Sequence, residues 1–396
     1  MRILSVITAY PPSTGGAQVH AHELHRSLLA RGHEVVVATA WRETRTDWAL
    51  GTTVRAPGRR PPDVLDGVRV EHLGLAASRR LRAGAALAAY PAAMRTLAPA
   101  LTAAYAPAAR DVLDRVQPDV VHLSRVGREW LYQAVVRAAR ARGIPYVLTP
   151  NHHPHWTRPW HWWWWELYRH ADAVLVLSEH EAEAIEAGGV DRERIVRTVV
   201  GPVGEPPEPT AADAPPDVPP AVAFLGQIRH YKGLDVLEAA MRLVRSELPG
   251  TRLAVVGPWL DAPGALRRRL EDDPLTTVHG SVDEATKWGV LRRSALLCVP
   301  SSGEALGGVY LEAWRVGRPA VGADIPPVRE LFGRTGGGVV VDRDPAALAA
   351  VLVGLLRDPV RRDELGTAGR RALAEEYNWG TAASRAEDAY ELARRP

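Results

Sequence analysis

Cysteine is almost absent. The 396 residues hold one, Cys298, so no disulfide can close within the chain and no cysteine metal site exists. Lysine is nearly as rare: beside 47 arginines there are two, Lys232 and Lys287. No apolar run reaches the ~18 residues of a membrane span. The opening MRILSVITAYPPSTGG has one arginine before its apolar run and no small-residue cleavage site, so it reads as a first strand and not as a signal peptide. No G-x-G-x-x-G follows a strand, which argues against a nicotinamide-dependent oxidoreductase. No basic run is interleaved with aromatics, as a nucleic-acid platform would need. These absences predict a cytoplasmic chain.

What is present is ordinary in bulk and uneven in detail. Apolar residues make up 46% and formal charge is +3. Residues 1–200 carry +6 and residues 201–396 carry −3. A basic first half could face acidic lipid or an anionic ligand, or be a solvated surface in an arginine-rich chain. The length predicts two domains or more. Apolar strands and amphipathic helices alternate twice over. In the first half, strands are predicted at Arg2–Thr8, Glu34–Thr39, Val68–Leu73, Asp119–Leu123, Tyr146–Thr149, Val174–Leu177 and Ile195–Val199. Helices are predicted at Ala17–Ala30 and Glu129–Arg142, with Arg79–Val116 helical in part and broken at Pro91, Pro99 and Pro107. Residues 201–220, rich in proline and acid, read as a linker. The second half restarts at Ala221–Gly226 and ends in a helix from Trp379 to Arg394. Continuous apolar strands between helices imply parallel sheets covered on both faces, an α/β fold.

The most informative stretch is LLCVPSSGEALGGVYLEAWRVGRPAVG, residues 296–322. A buried strand, a turn and a helix opening at Gly307–Gly308 place Glu304 before the helix start and Glu312 one to two turns inside. Glycines at a helix start let amides approach an anion, and the dipole favours negative charge there. Two carboxylates beside a phosphate-sized hole can hold hydroxyls on either side of a diphosphate.

These residues resemble the E-x7-E element of the retaining GT-B glycosyltransferases, most closely glycosyltransferase family 4. The resemblance covers nearly the whole chain. It implies two Rossmann-like domains facing each other across a cleft: residues 1–200 on the acceptor side, 221–376 binding the nucleotide sugar, and 377–396 a helix packing back on the first domain. It implies that Glu304 meets donor sugar hydroxyls, Glu312 the ribose, and the Gly307, Gly308 and Val309 amides the diphosphate. Lys232, a compact cation, matches a residue that stabilises the departing diphosphate. Gln227 stands where relatives often have arginine, and Arg229 is the candidate to supply that charge. Gly257 and the loop of Ser281 and Val282 match the border of the nucleobase. Gly15 and Gly16 read as a phosphate cradle before the first helix, or as a tight strand–helix turn.

The acceptor side is less defined. Relatives often carry His-x-His where this chain has His122 and Ser124. Either Ser124 takes the second role, or a histidine among His152, His153 and His155 does, donating to the sugar or moving the acceptor proton. His153 and His155 are therefore catalytic candidates with Lys232 and Glu304, while Ser124, His152, Trp156 and Trp160 are acceptor candidates. Six tryptophans crowd residues 155–168. Four in a row cannot share one helix face, and three uses stay open: core, acceptor pocket, or bilayer contact for a lipid-linked acceptor.

The resemblance implies a retaining transferase moving a sugar from a nucleoside diphosphate donor to a small-molecule or lipid-linked acceptor, with no metal and no cofactor. A nucleotide-sugar epimerase and a non-catalytic nucleotide-sugar binder are the alternatives. Donor sugar, base and oligomeric state are not written in the sequence.

Overall fold

The computed structural model describes residues 1–12, 15–40, 61–89, 94–124, 130–151, 162–209 and 221–395. The chain divides into two compact units, Met1–Val199 with Trp379–Pro396, and Val200–Asn378.

The first unit holds β1 (Arg2–Val6), β2 (Glu34–Thr39), β3 (Asp63–Leu65), β4 (Val68–His72), β5 (Val120–Ser124), β6 (Tyr146–Thr149), β7 (Ala173–Val176) and β8 (Ile195–Arg197). They form one sheet in the order β3-β4-β2-β1-β5-β6-β7-β8. Every pair is parallel except the β3–β4 hairpin. β5, β6 and β7 are buried along their whole length, which is why they read as unbroken apolar runs. The order runs away from β1 and β5 in opposite directions. The loops leaving their carboxyl ends therefore part, and open α/β sheets hold ligands at such a point. Gly15–Gly16 follow β1, and Ser124 ends β5.

The helix Trp379–Ala393 belongs to this unit and packs on the helix Gly16–Ala30 and on β6, β7 and β8. Its alanines at 386 and 389 are fully buried. Glu387 accepts from Arg31 Nε at 2.8 Å and from His33 Nε2 at 2.7 Å, and Tyr390 Oη bonds His122 Nδ1 at 2.7 Å.

The second unit holds β9 (Ala221–Leu225), β10 (Arg252–Val256), β11 (Thr276–Gly280), β12 (Ser294–Val299), β13 (Ala320–Ala323) and β14 (Gly338–Val341). The sheet is parallel throughout, in the order β11-β10-β9-β12-β13-β14. Its switch point lies between β9 and β12. Gly226–Gly233 leave β9, and Pro300–Gly307 leave β12.

One expectation is corrected. Pro99 and Pro107 do not break the helix but lie inside a single one, Met94–Val116, while Pro91 lies outside the described residues. Proline removes the bond to the carbonyl four residues back. For Pro107 that carbonyl is Ala103, which instead accepts from Arg79 Nη1 at 3.4 Å. Leu101, Tyr105, Ala109 and Val112 bury one face of the helix in the core, and this burial offsets the lost backbone bonds. Among the described residues no helix is long and apolar enough to cross a membrane.

Candidate active site

Glycine backbone fixes the loops at the β9/β12 switch. Gly226 and Gly257 both adopt φ +138°. A Cβ on Gly257 would overlap the Gly226 carbonyl oxygen, so the turns after β9 and β10 stack backbone on backbone. Gly233 (φ +76°) likewise leaves no room for a Cβ against the Pro300 carbonyl. Ser302 N–H donates to the Tyr231 carbonyl at 2.8 Å. The loop after β9 is thereby pinned to the loop after β12, which brings two residues 72 positions apart into contact.

Those residues are Lys232 and Glu304. Lys232 Nζ donates to Glu304 Oε1 at 2.6 Å, and Ser301 Oγ donates to the same oxygen at 2.6 Å. Both charged side chains are largely buried. Burial works against the lysine's charge, but Glu304 and Tyr231 outweigh it and raise its pKa. A compact cation is thus kept charged inside the fold.

Beside it starts the helix Gly308–Arg315. Its cap is Gly307 in left-handed conformation, φ +90°, which makes no side-chain cap bond to the first-turn amides. The Gly307 backbone lies against the Tyr310 ring, and Tyr310 Oη donates to the Val299 carbonyl at 2.8 Å, tying the helix start to the end of β12. A Cβ on Gly308 would meet nothing within 4 Å. Uncapped amides, an open approach and a neighbouring ammonium make an anion-binding surface. Val309 lies near Gly226, so the helix start faces the end of β9.

One turn on, the Glu312 side chain is largely buried, and its carboxyl pKa is pushed up to about 7. Burial is the main cause. Lys287, 3.4 Å away, opposes it, and Glu284 adds to it. Lys287 was not singled out as a site residue from the sequence. It is the second of only two lysines, and that rarity was the available signal.

Gln227 and Arg229 are neighbours: Arg229 Nε donates to Gln227 Oε1 at 3.3 Å. The Arg229 guanidinium is also engaged by Asp261 at 2.8 Å. Ser281 is exposed and Val282 half-buried just past β11, where Gly257 N–H donates to the Gly280 carbonyl at 2.8 Å.

In the first unit Gly15 caps the helix Gly16–Ala30, again without a side-chain cap bond, and a Cβ on Gly16 would meet open space. Gln18 is buried beside Gly15, and its Oε1 has no hydrogen-bond partner among the described residues. Ser124 is buried, and its carbonyl accepts from Tyr132 Oη at 3.3 Å. His122 lies within β5, fully buried between Tyr390 and Thr149. His152, His153, His155, Trp156 and Trp160 lie outside the described residues. Of the tryptophan run, Trp165 packs against the core, edge-on to Tyr168 with ring centroids 5.2 Å apart.

Comparison with known proteins decides the family. Residues 15–201 match the family described as Glycosyl transferase 4-like domain, and residues 219–358 match Glycosyl transferases group 1. The chain belongs to the family 4 glycosyltransferases. It is an enzyme of the glycosyltransferase class, with the GT-B fold. It is 28% identical over 423 residues to a glycogen synthase of Mycobacterium tuberculosis, covering all of this chain and 95% of that one. It is 33% identical over 252 residues to a D-inositol 3-phosphate glycosyltransferase of Xylanimonas cellulosilytica, covering 57% of this chain and 58% of that one. The structure of Anabaena HepE, solved with UDP and glucose, superposes with a TM-score of 0.69 at 15% identity over 99% of both chains.

Proposed function

We propose that this glycosyltransferase takes a sugar from a nucleoside diphosphate donor held on the Val200–Asn378 unit and transfers it to a hydroxyl of a small-molecule or lipid-linked acceptor, with retention at the anomeric carbon. The observation that carries this reading is the buried Lys232–Glu304 pair set beside the uncapped helix start at Gly307–Gly308. In this reading the amides of Gly307, Gly308 and Val309 and the Lys232 ammonium receive the diphosphate. Glu304 receives sugar hydroxyls, and Glu312 the ribose. Chemistry is a front-face substitution. The acceptor oxygen bonds the anomeric carbon as the bond to the diphosphate oxygen breaks on the same face. Developing negative charge on the leaving group is stabilised by groups already in place, and a diphosphate oxygen takes the acceptor proton. A donor shielded from water would avoid hydrolysis, the obvious side reaction. The donor is a co-substrate, and no cofactor or metal enters the scheme. The relatives named above, one acting on an inositol phosphate and one making glycogen, support a hydroxyl acceptor.

A thermal-shift screen over nucleoside diphosphates and their sugars tests the donor half, because a ligand bound only by the folded state raises the melting temperature. Anomeric proton coupling in the product of the stabilising donor tests retention. No stabilisation by any diphosphate, or an inverted product, sinks the corresponding part.

A further inference from the structure

The chain has two lysines, and each meets one of the two glutamates of the E-x7-E element: Lys232 pairs with Glu304 at 2.6 Å and Lys287 with Glu312 at 3.4 Å. The second pair differs in kind from the first. Lys287 sits on the helix Glu284–Arg293, is itself buried, and is shared. Its Nζ lies 2.8 Å from Glu284 Oε2 and over the Trp288 ring at 4.6 Å from the centroid. Trp288 Nε1 in turn donates to Glu284 Oε2 at 3.1 Å. Glu284 is the exposed partner, and Glu312 the buried one.

This geometry gives one ammonium two claimants. The charged groups that act on Glu312 are Lys287 and Glu284. Of the elements packed against its helix, β12 and β13 have no charged residue. On the helix Pro359–Glu375, Arg362 and Arg370 face Arg318 instead. On Glu312's own helix Arg315 is taken by Glu205, and among the described residues Lys287 is the cation that acts on this largely buried carboxyl and favours its ionised form. The protonation state matters for what it can hold. A carboxylate accepts two hydroxyl hydrogen bonds at once, whereas a carboxylic acid has given one oxygen to its own proton.

We propose that Lys287 is a positioning residue of the donor site, holding Glu312 as the carboxylate that accepts both hydroxyls of the donor's ribose. This rests on the donor reading above. Glu284 is its counterweight, drawing the ammonium away and so keeping donor affinity responsive to pH near neutrality.

The test is calorimetric titration of the full-length chain. UDP, GDP and ADP are first offered to the wild type, and the tightest binder is carried forward with its 2′-deoxy form. Wild type, Lys287→Met and Lys287→Arg are then titrated from about pH 6 to about pH 9, a range that spans the ionisation of a raised carboxyl. Lys287→Met is expected to bind roughly ten-fold more weakly at neutral pH, the factor for each further pH unit Glu312 needs to ionise, and to recover as pH rises. Lys287→Arg keeps most of the affinity. For the 2′-deoxy ligand the gap between wild type and Lys287→Met closes, because one of the two bonds at issue is gone. A residue that served only packing would lower the melting temperature and leave the pH profile in place. Equal affinity and an equal pH profile for wild type and Lys287→Met overturn the inference while leaving the donor reading intact. Failure of all three diphosphates to bind the wild type overturns both. Should Lys287→Met not fold, Glu284→Gln decides. Freed from its competitor, Lys287 moves the acid limb of binding to lower pH, and an unmoved limb rejects the assignment.

Discussion

Glu304 Oε1 accepts from both Lys232 and Ser301. Two donors on one oxygen hold the carboxylate in a single orientation and leave the ammonium's other protons for an incoming anion. Removing either partner strands the other as an unpaired buried charge. Glu304→Ala and Lys232→Ala should each lower turnover at least ~10²-fold, the scale of a lost transition-state contact. Steady-state kinetics that find either variant near wild type would remove that residue from the chemistry. Ser301→Ala, which deletes only the hydroxyl, should cost less than either. At this scale Lys232 was legible because a chain built on arginine keeps few lysines, and because its loop matched a motif. Lys287 was equally rare but had no motif around it. Its partner Glu312 lies 25 positions away, and only the fold of β12 and its flanking helices brings them together. The arginine next to Gln227 was foreseeable as a neighbour, but its engagement with Asp261, 32 residues on, was not.

Glycines do opposite jobs in the elements that frame the site. Gly257 and Gly307 adopt conformations L side chains rarely take, with backbone or ring atoms where a Cβ would go. Gly308 opens the helix with nothing within 4 Å. Gly257→Ala and Gly307→Ala should therefore each cost about 1–3 kcal/mol of stability, the range for backbone held in a disfavoured region. Gly308→Ala should leave the melting temperature nearly unchanged and raise the donor Michaelis constant. Equal melting temperatures for all three variants would refute this division. Most strands and long helices were visible as apolar periodicity, and β2 and β6 fall on their expected residues. The missed elements had weak local signals. The helix Gly264–Glu271 buries only Leu266 and Leu270, and Pro326–Thr335 opens with two prolines that look like a break but are suited to the first turn. The Pro99 and Pro107 misreading has the same root. The residues that compensate, Arg79 and the core around Tyr105, are tertiary neighbours that a local rule does not see.

Taken whole, the first unit carries a buried histidine group that ties sheet, first helix and last helix together. His20 lies against Trp379, His25 bonds Tyr10 Oη at 3.1 Å, and His122 bonds Tyr390 Oη and Thr149. Burial lowers the pKa of His20 to about 4 and of His122 to about 3, and lowers His25 as well. Each imidazole is neutral when folded and takes up a proton on unfolding. Stability is thus complete above the unfolded value near pH 6.5 and falls as pH drops toward the folded values. Glu387, held down to about 2 chiefly by its hydrogen bond from Arg31, stays charged across that window, so its pairing is not what fails. The melting temperature should decline steadily from about pH 7 to about pH 5; a flat profile would clear the histidines. The two-sheet plan was readable because each half restarts the same alternation. The histidine group was not, since its members are scattered from residue 20 to residue 122 and their partners reach residue 390. One unit is a single unbroken length of chain and the other is not: residues 200–378 interrupt it. The stretch proposed to hold the donor can be excised as one continuous piece of gene. Its companion can be isolated only by splicing two distant pieces, and a stop codon after residue 378 would maim the unit that begins the chain and spare the one that has just been read.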